Sequence, residues 1–305
     1  MIFPLPGSPL IPGPANKPGS KRNAAGVSCL WNGDTLHIIY TEVDEDRIGC
    51  MKSTVRKDPK SYRERDYRRM QSQGDLVSSH VRVSETDLHI LADRNVEVQA
   101  KELVLRYRMQ IESYIARHPE FLTALSPLPF DNLAPPIVRD MLSAGEAADV
   151  GPMAAVAGVL SEYVGKDLLA GGIQEVIVEN GGDIFLKRNK CCTVAIFAGQ
   201  SSLSYKVGVV VAAGAMPTAV CTSSGTVGHS LSFGEADSVT VLASSTALAD
   251  AVATRLGNEV GLAHSGEAGI RRTLALARQF SDVDAVVVIC GELMGAVGEV
   301  ELVSL

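Results

Sequence analysis

Hydrophobic and polar residues follow two different rhythms along this chain. In residues 77–83 and 87–92 apolar and polar side chains alternate, which is typical of half-buried strands. Residues 96–117 place apolar side chains at mostly helical spacing, and a His-Pro pair ends this predicted helix. The apolar positions of the helix are Val98, Leu103, Leu105, Met109, Ile111 and Ile115.

The second half of the chain mixes helices and strands without regular alternation. Residues 152–169 predict a buried helix, because Ala and Gly recur at close intervals and paired glycines follow. A Ser/Gly-rich loop, a strand at 238–243 and a helix at 246–256 come later, and 291–298 is predicted to be a turn. This order predicts an α+β fold with mixed sheets and packed helices, and it disfavours a doubly wound α/β fold.

Composition divides the chain into three parts. Residues 1–26 are rich in Pro, Gly, Ser, Lys and Asn, which predicts a loose N-terminal tail. Residues 27–75 carry an Asn-Gly pair between two apolar runs, which indicates a hairpin, and then a charge-dense linker. Residues 76–305 contain the regular patterns and form the predicted α+β domain.

Charge and composition exclude several classes of protein. Of the 305 residues, 46% are apolar, while 28 Lys and Arg against 35 Asp and Glu give a net charge of −7. An acidic chain with few aromatic residues is not expected to bind nucleic acid. No apolar run approaches the roughly 18 residues of a membrane span, so no membrane partner is expected. The six cysteines form no CxxC pair, which predicts a reducing, cytoplasmic location, and the Ala/Gly-rich faces are compatible with a homo-oligomer.

The first candidate functional segment is a glycine turn between two apolar strands. It consists of Asn180, Gly181, Gly182 and Asp183. Paired glycines allow backbone N–H groups to point at an anionic ligand, and Asp183 would lie at the mouth of the hairpin. An ordinary hairpin turn is the alternative, since Asn-Gly favours such turns.

The second segment is a loop rich in hydroxyl groups, which includes Thr222, Ser223, Ser224, Gly225 and His229. Such a loop offers several donors to a phosphate or to a ribityl chain, and one titratable base. It contains neither a P-loop lysine nor a GxSxG nucleophile elbow. A surface loop without a ligand is the alternative.

The third candidate is a pair of oxygen-bearing side chains on the predicted helix at 246–256. Asp250 and Thr254 are spaced four residues apart and therefore share one helix face. A carboxylate and a hydroxyl are suitable ligands for Mg²⁺, which prefers oxygen. The alternative is a surface Asp beside a Thr that bonds to its own helical turn.

Taken in order, four motifs resemble the ApbE-like proteins, which are FAD:protein FMN transferases. They are ADVGPMAAVAGVLSEYV, ENGGDIFL, TSSG with a following His, and VTVLA followed by ALADAVAT. The resemblance covers roughly residues 80–290 and is nearer to a branch with a CTSSGTVGHS motif. It implies that FAD or FMN is the ligand, that Mg²⁺ bridges the pyrophosphate, and that FMN passes to a Thr or Ser hydroxyl of a client protein.

The resemblance also implies roles for particular residues. Asp250 and Thr254 match the family's metal-binding residues, and His229 and Asp183 are the implied catalytic residues. The residues implied to bind the cofactor are Asn180, Gly181, Gly182, Thr222, Ser223, Ser224 and Gly225.

Two departures from the family pattern shape the functional prediction. The segment between Gly225 and His229 is shorter than in the transferases, and Ala154 and Ala155 stand where they carry Lys-Gly. The sequence therefore predicts a flavin- or nucleotide-binding ApbE-like protein, with Mg²⁺-dependent FMN transfer as its most specific form. A non-catalytic module for a flavin or another phosphorylated ligand, and a structural or assembly protein, are the alternatives.

Overall fold

The protein is arranged in three layers: helices, a large sheet and a second sheet. The computed structural model describes residues 2–3, 25–31, 36–42, 75–226, 234–261 and 266–305, the first three segments as backbone only. Within these residues, no helix is long and apolar enough to cross a membrane.

The elements have the following bounds. The strands are β1 (Ile2–Phe3), β2 (Ala25–Trp31), β3 (Leu36–Glu42), β4 (Val77–Val83), β5 (Thr86–Ala92), β6 (Val176–Asn180), β7 (Asp183–Lys187), β8 (Cys192–Ala195), β9 (Val207–Val211), β10 (Thr218–Ser223), β11 (Ser238–Ala243), β12 (Val283–Cys290), β13 (Leu293–Gly298) and β14 (Glu301–Ser304). The helices are α1 (Glu97–Ile115), α2 (Glu120–Thr123), α3 (Pro136–Ala148), α4 (Val156–Ala170), α5 (Thr246–Gly257) and α6 (Gly266–Ala277), with 3₁₀ turns at Pro152–Ala155 and Ala213–Ala215.

The strands form two antiparallel sheets. The larger has eight strands in the order β13-β12-β11-β10-β7-β6-β5-β4, and the smaller has six in the order β1-β8-β9-β14-β3-β2. Every described pairing is antiparallel. Helices packed on antiparallel sheets confirm the predicted α+β fold class.

The two faces of the large sheet enter two different cores. Phe185 of β7 packs among the helices, whereas its neighbours Ile184 and Leu186 pack between the two sheets. Because side chains alternate along a strand, Asp183 lies on the same face as Phe185, the helix face. This alternation decides which polar residues can meet the helices.

Two strands lie where the sequence predicts a loop and a turn. Residues 218–223 form β10 in the middle of the large sheet, and residues 293–298 form β13 at its edge. The hydroxyl-rich end of β10 is compatible with a strand because its donors find partners in the sheet, as Thr222 does with Thr240. Local composition predicts a loop there, but pairing with β7 and β11 makes a strand.

The helix predicted at residues 96–117 is present as α1, but three of its apolar residues are exposed. Val98 is 75% exposed, Met109 is 62% exposed and Leu105 is 49% exposed. The buried side chains are Ala100, Leu103, Val104, Tyr107, Ile111 and Tyr114. Two tyrosines, and not only aliphatic residues, therefore form the buried stripe of the helix.

Parts of the predicted tail and linker contribute strands. β2 and β3 pair with each other across the predicted hairpin, and Leu36 of β3 is the register partner of Leu302 in β14. β1 pairs with β8. The charge-dense linker at 43–69 lies outside the described residues.

Candidate functional site

Three polar residues form one row across the helix face of the large sheet. Asn180 of β6 pairs with Asp183 of β7, and Asp183 pairs with Cys221 of β10. All three are buried. The row lies at the end of the β6–β7 hairpin, next to the glycine turn. Its polar side chains face the helix layer.

Helix α5 brings Asp250 to this row. Asp250 is 9% exposed, and its Oδ2 accepts a hydrogen bond from the backbone N–H of Gly158 in α4 over 2.8 Å. A Cβ at position 158 would overlap the carbonyl oxygen of Thr246 and the Cβ of Asp250. Glycine at this position therefore allows α4 and α5 to approach closely enough for the bond to form.

The two buried carboxyl groups influence each other. Burial raises the pKa of Asp183 well above its ordinary value, and the nearby charge of Asp250 raises it further. Burial also raises the pKa of Asp250 to about 7, against the opposing effect of the N–H donors of Gly158 and Ala157. Oδ1 of Asp183 is buried without a hydrogen-bond partner. A proton or a cation is the physical way to neutralise such a pair.

Cys221 is the last of the three residues in the polar row. Its Sγ donates to the carbonyl oxygen of Thr246 over 3.5 Å, and its position next to Asp183 opposes part of the rise in the pKa of that carboxyl. Burial raises the pKa of this thiol well above its ordinary value, and the charges of Asp183 and Asp250 act in the same direction. Cys221 is therefore a protonated donor beside the carboxylates, not a thiolate nucleophile.

The glycine turn uses its own donors. Gly181 and Gly182 have φ values of 71° and 113°, a conformation that side chains disfavour. The N–H of Gly182 donates to Oε1 of Glu179 over 3.0 Å, and Nδ2 of Asn180 donates to the carbonyl of Ala157 over 3.1 Å. These predicted ligand donors hold the hairpin and attach it to α4.

One face of α5 contributes residues to the site along the whole length of the helix. Thr246, Asp250, Thr254 and Gly257 are spaced at three- and four-residue intervals and share that face. Thr254 is half-buried, and Ser223 of β10 lies against Gly257, within 3.4 Å of where a Cβ would stand. The structure thus brings Asp183, Ser223, Asp250 and Thr254 to one sheet–helix boundary.

Thr222 lies on the other face of the sheet. Its Oγ1 is 2.9 Å from Oγ1 of Thr240, which in turn is 3.2 Å from Oγ of Ser238. Its neighbours along β10, Cys221 and Ser223, face α5 instead. Strand alternation therefore separates Thr222 from the residues with which it was grouped.

Gly225 has a packing role at the end of β10. A Cβ there would overlap the carbonyl of Gly234, and a Cβ at Gly234 would overlap the carbonyl of Gly257. The N–H of Gly225 donates to the carbonyl of Ala236 over 2.8 Å. Oγ of Ser224 accepts from the N–H of Thr226 over 3.1 Å, and the residue is half-buried. His229 lies outside the described residues.

Three functional candidates escaped the sequence patterns. Cys221 and Glu179 can be recognised as candidates only when the pairing of the strands is known. Glu162, 4% exposed in α4, accepts from the first N–H groups of α5. A single glutamate within the apolar stretch VAGVLSEYVG was the signal that could have identified it.

The donors at the site suit a hard cation better than a transition metal. Among residues 75–226, 234–261 and 266–305, no group of three or more His, Cys, Asp and Glu side chains is arranged to hold a metal. Two carboxylates and a hydroxyl leave positions for water or ligand phosphate, which is how Mg²⁺ is commonly held. The unpartnered Oδ1 of Asp183 supports this fit.

Fold and site define an α+β protein with a buried carboxylate pair between a helix and an antiparallel sheet. Residues 68–297 match the family model described as "AbpE bacteria". UPF0280 proteins of Methanococcus aeolicus and Methanocaldococcus jannaschii are 41% and 40% identical to the chain. These matches span 74% and 73% of this chain and 91% of each relative. The chain therefore belongs to the family that this model describes, and the predicted resemblance to the ApbE-like proteins is confirmed.

Solved structures with a similar arrangement have low sequence identity. A variant of the flavin transferase ApbE from Vibrio cholerae is 13% identical, with a TM-score of 0.48, over 73% of this chain and 97% of its own. The ApbE protein from Thermotoga maritima is 12% identical, with a TM-score of 0.45, over 72% of this chain and 96% of its own.

Proposed function

We propose that this protein binds a flavin nucleotide together with Mg²⁺ at the Asp183–Asp250 site, and that it transfers FMN from FAD to a protein hydroxyl. The observation that carries the proposal is the buried carboxylate pair. Within the described part of the chain, neither carboxylate forms an ion pair with Lys or Arg, and Oδ1 of Asp183 has no partner. A divalent cation would supply the missing positive charge.

Each residue has a proposed role. Asp183, Asp250 and the hydroxyl of Thr254 would hold Mg²⁺, whose chemistry is to neutralise charge on phosphate oxygens. Ser223 and Ser224, at the open end of β10, would donate hydrogen bonds to phosphate or to the ribityl chain. His229 would take the proton from the attacking hydroxyl of the client protein.

A non-catalytic flavin-binding module is the second candidate. Two sequence observations favour it: the short segment before His229, and the alanines at 154 and 155 in place of a cationic residue. Without that cation, less charge is available to stabilise a leaving phosphate. The client protein, a homo-oligomeric state and the cytoplasmic location stay predictions.

Calorimetric titration with FAD and with FMN, each with and without Mg²⁺, tests the proposal. We expect FAD binding that strengthens with Mg²⁺ in the wild-type protein and loses this dependence in Asp250→Asn. Thr222→Val is the matched control, because its side chain lies on the opposite sheet face and should leave binding unchanged. Absence of heat with either flavin would remove the flavin proposal.

A second assay separates transfer from binding. Incubation with FAD, Mg²⁺ and Ser- or Thr-bearing candidate proteins should release AMP and leave FMN covalently attached if the protein is a transferase. Saturable FAD binding with no AMP release would favour the non-catalytic module.

A further inference from the structure

The N-terminus of α5 is occupied by the protein's own carboxylate. Oε2 of Glu162 accepts from the N–H groups of Thr246 and Ala247 over 2.7 and 3.2 Å, and from Oγ of Ser245 over 3.3 Å. Its other oxygen pairs with Nζ of Lys166 over 2.5 Å. The helix N-terminus, where a ligand phosphate could otherwise bind, is therefore already filled by an anion.

The remaining donors of this helix end are also used. The N–H of Leu248 donates to Oγ of Ser245 over 3.4 Å, and that of Ala249 donates to the carbonyl of Ser245 over 3.0 Å. All four N–H groups of the first turn thus have partners within the chain. A nucleotide phosphate would have to bind elsewhere along the site.

The same contact determines how α5 lies against α4. Glu162 and Gly158 are one turn apart on α4, and they contact Thr246 and Asp250, which are one turn apart on α5. The two contacts show that the helices run antiparallel to each other. At Gly158 they are packed so closely that no space remains for a side chain. Movement of the first turn of α5 would therefore move Asp250 away from its N–H donor.

We propose that Glu162 is a positioning residue for the metal site, because its carboxylate anchors the N-terminus of α5 and so holds Asp250 in place. This inference rests on the proposed function for the metal itself. Glu162 touches neither metal nor substrate, and its effect passes through α5. Buried partners that orient ligands in this way commonly change metal affinity by about 10- to 100-fold when removed.

Metal titrations on three variants test the role of Glu162, with Mn²⁺ read by electron paramagnetic resonance in place of Mg²⁺. Glu162→Ala should weaken Mn²⁺ binding about tenfold or more, whereas Glu162→Gln, which keeps an acceptor oxygen, should retain most of the affinity. Formate should restore binding in Glu162→Ala by filling the vacated position, and it should not change the wild type.

Lys166→Ala is the matched control, because it changes the charge next to Glu162 but leaves the α5 contact intact. The wild-type affinity is expected for this variant. If charge alone decided the affinity, Lys166→Ala would tighten Mn²⁺ binding and Glu162→Gln would weaken it as much as Glu162→Ala. That pattern would overturn the positioning role.

Two further outcomes separate this inference from the proposed function. A wild-type protein that binds no Mn²⁺ contradicts the metal site itself. Normal wild-type binding together with unchanged binding in folded Glu162→Ala contradicts only the role of Glu162. If Glu162→Ala does not fold, Glu162→Asp decides, because it keeps the charge but shortens the reach to the N–H groups of Thr246 and Ala247. Unchanged Mn²⁺ affinity in folded Glu162→Asp indicates a structural role alone.

Discussion

The backbone N–H of Gly158 donates to Oδ2 of Asp250 over 2.8 Å, although the two residues lie 92 positions apart in the chain. The bond joins α4 to α5 at a point where the two helices approach closely. It also orients the carboxylate of Asp250, which lies between the helix layer and the polar row of the sheet. The chemistry of the site therefore depends on a residue that has no side chain.

A first prediction concerns Gly158 itself. Gly158→Ala should lower the free energy of unfolding by about 1–3 kcal/mol, because the added methyl overlaps the carbonyl of Thr246 and the side chain of Asp250. Chemical denaturation measures this. Gly214→Ala is the control, since no atom lies within 4 Å of its added Cβ; equal effects of both substitutions would contradict the packing argument.

A second prediction concerns pH. The pKa of Asp250 is about 7 in the folded protein, against an ordinary value of 3.8. The folded state therefore binds a proton that the unfolded state has released, and this contribution to stability is complete below 3.8 and is lost as pH rises through about 7. Without divalent cations, the free energy of unfolding should fall by about 1.4 kcal/mol per pH unit while one proton differs.

Thermal unfolding at several pH values checks this dependence, with Asp250→Asn as the comparison. The variant should show a shallower decline, because its amide does not titrate and it no longer raises the pKa of Asp183. Added Mg²⁺ at pH 8 should stabilise the wild type and not the variant. Parallel pH curves for the two proteins would count against a proton held by this pair.

A third prediction separates two neighbours in β10. Ser223→Ala should weaken flavin binding by up to about tenfold, which corresponds to one lost hydrogen bond. Thr222→Val should leave binding unchanged and lower stability by about 1 kcal/mol, because it removes the partner of Thr240 on the opposite face. Titration calorimetry and denaturation measure the two effects, and a loss of binding in Thr222→Val would refute the assignment of faces.

A fourth prediction tests the orientation of α1. Leu103 is 7% exposed and Met109 is 62% exposed. Leu103→Ala should therefore cost about 2–5 kcal/mol, while Met109→Ala should change stability by no more than about 0.5 kcal/mol. Urea denaturation of the two variants gives the comparison, and a large cost for Met109→Ala would mean that this face of the helix is covered in solution.

Local patterns in the sequence identified much of the fold. The strand at residues 238–243 is confirmed without change, and the helix at 246–256 extends by one residue to Gly257. Such elements can be recognised because the period of side chains along one segment depends on that segment alone. The order of the motifs likewise indicated the family before any contact was known.

Tertiary structure decided the contacts of the site. The sequence identifies Asp183 and Asp250 as candidates in two separate motifs. Only the packing of α5 on the sheet brings these carboxyl groups together and raises their pKa values. The face of Thr222 and the capping of α5 by Glu162 depend likewise on strand pairing and helix docking. These relationships join residues far apart in the chain, and local periodicity carries no information about which distant surfaces meet.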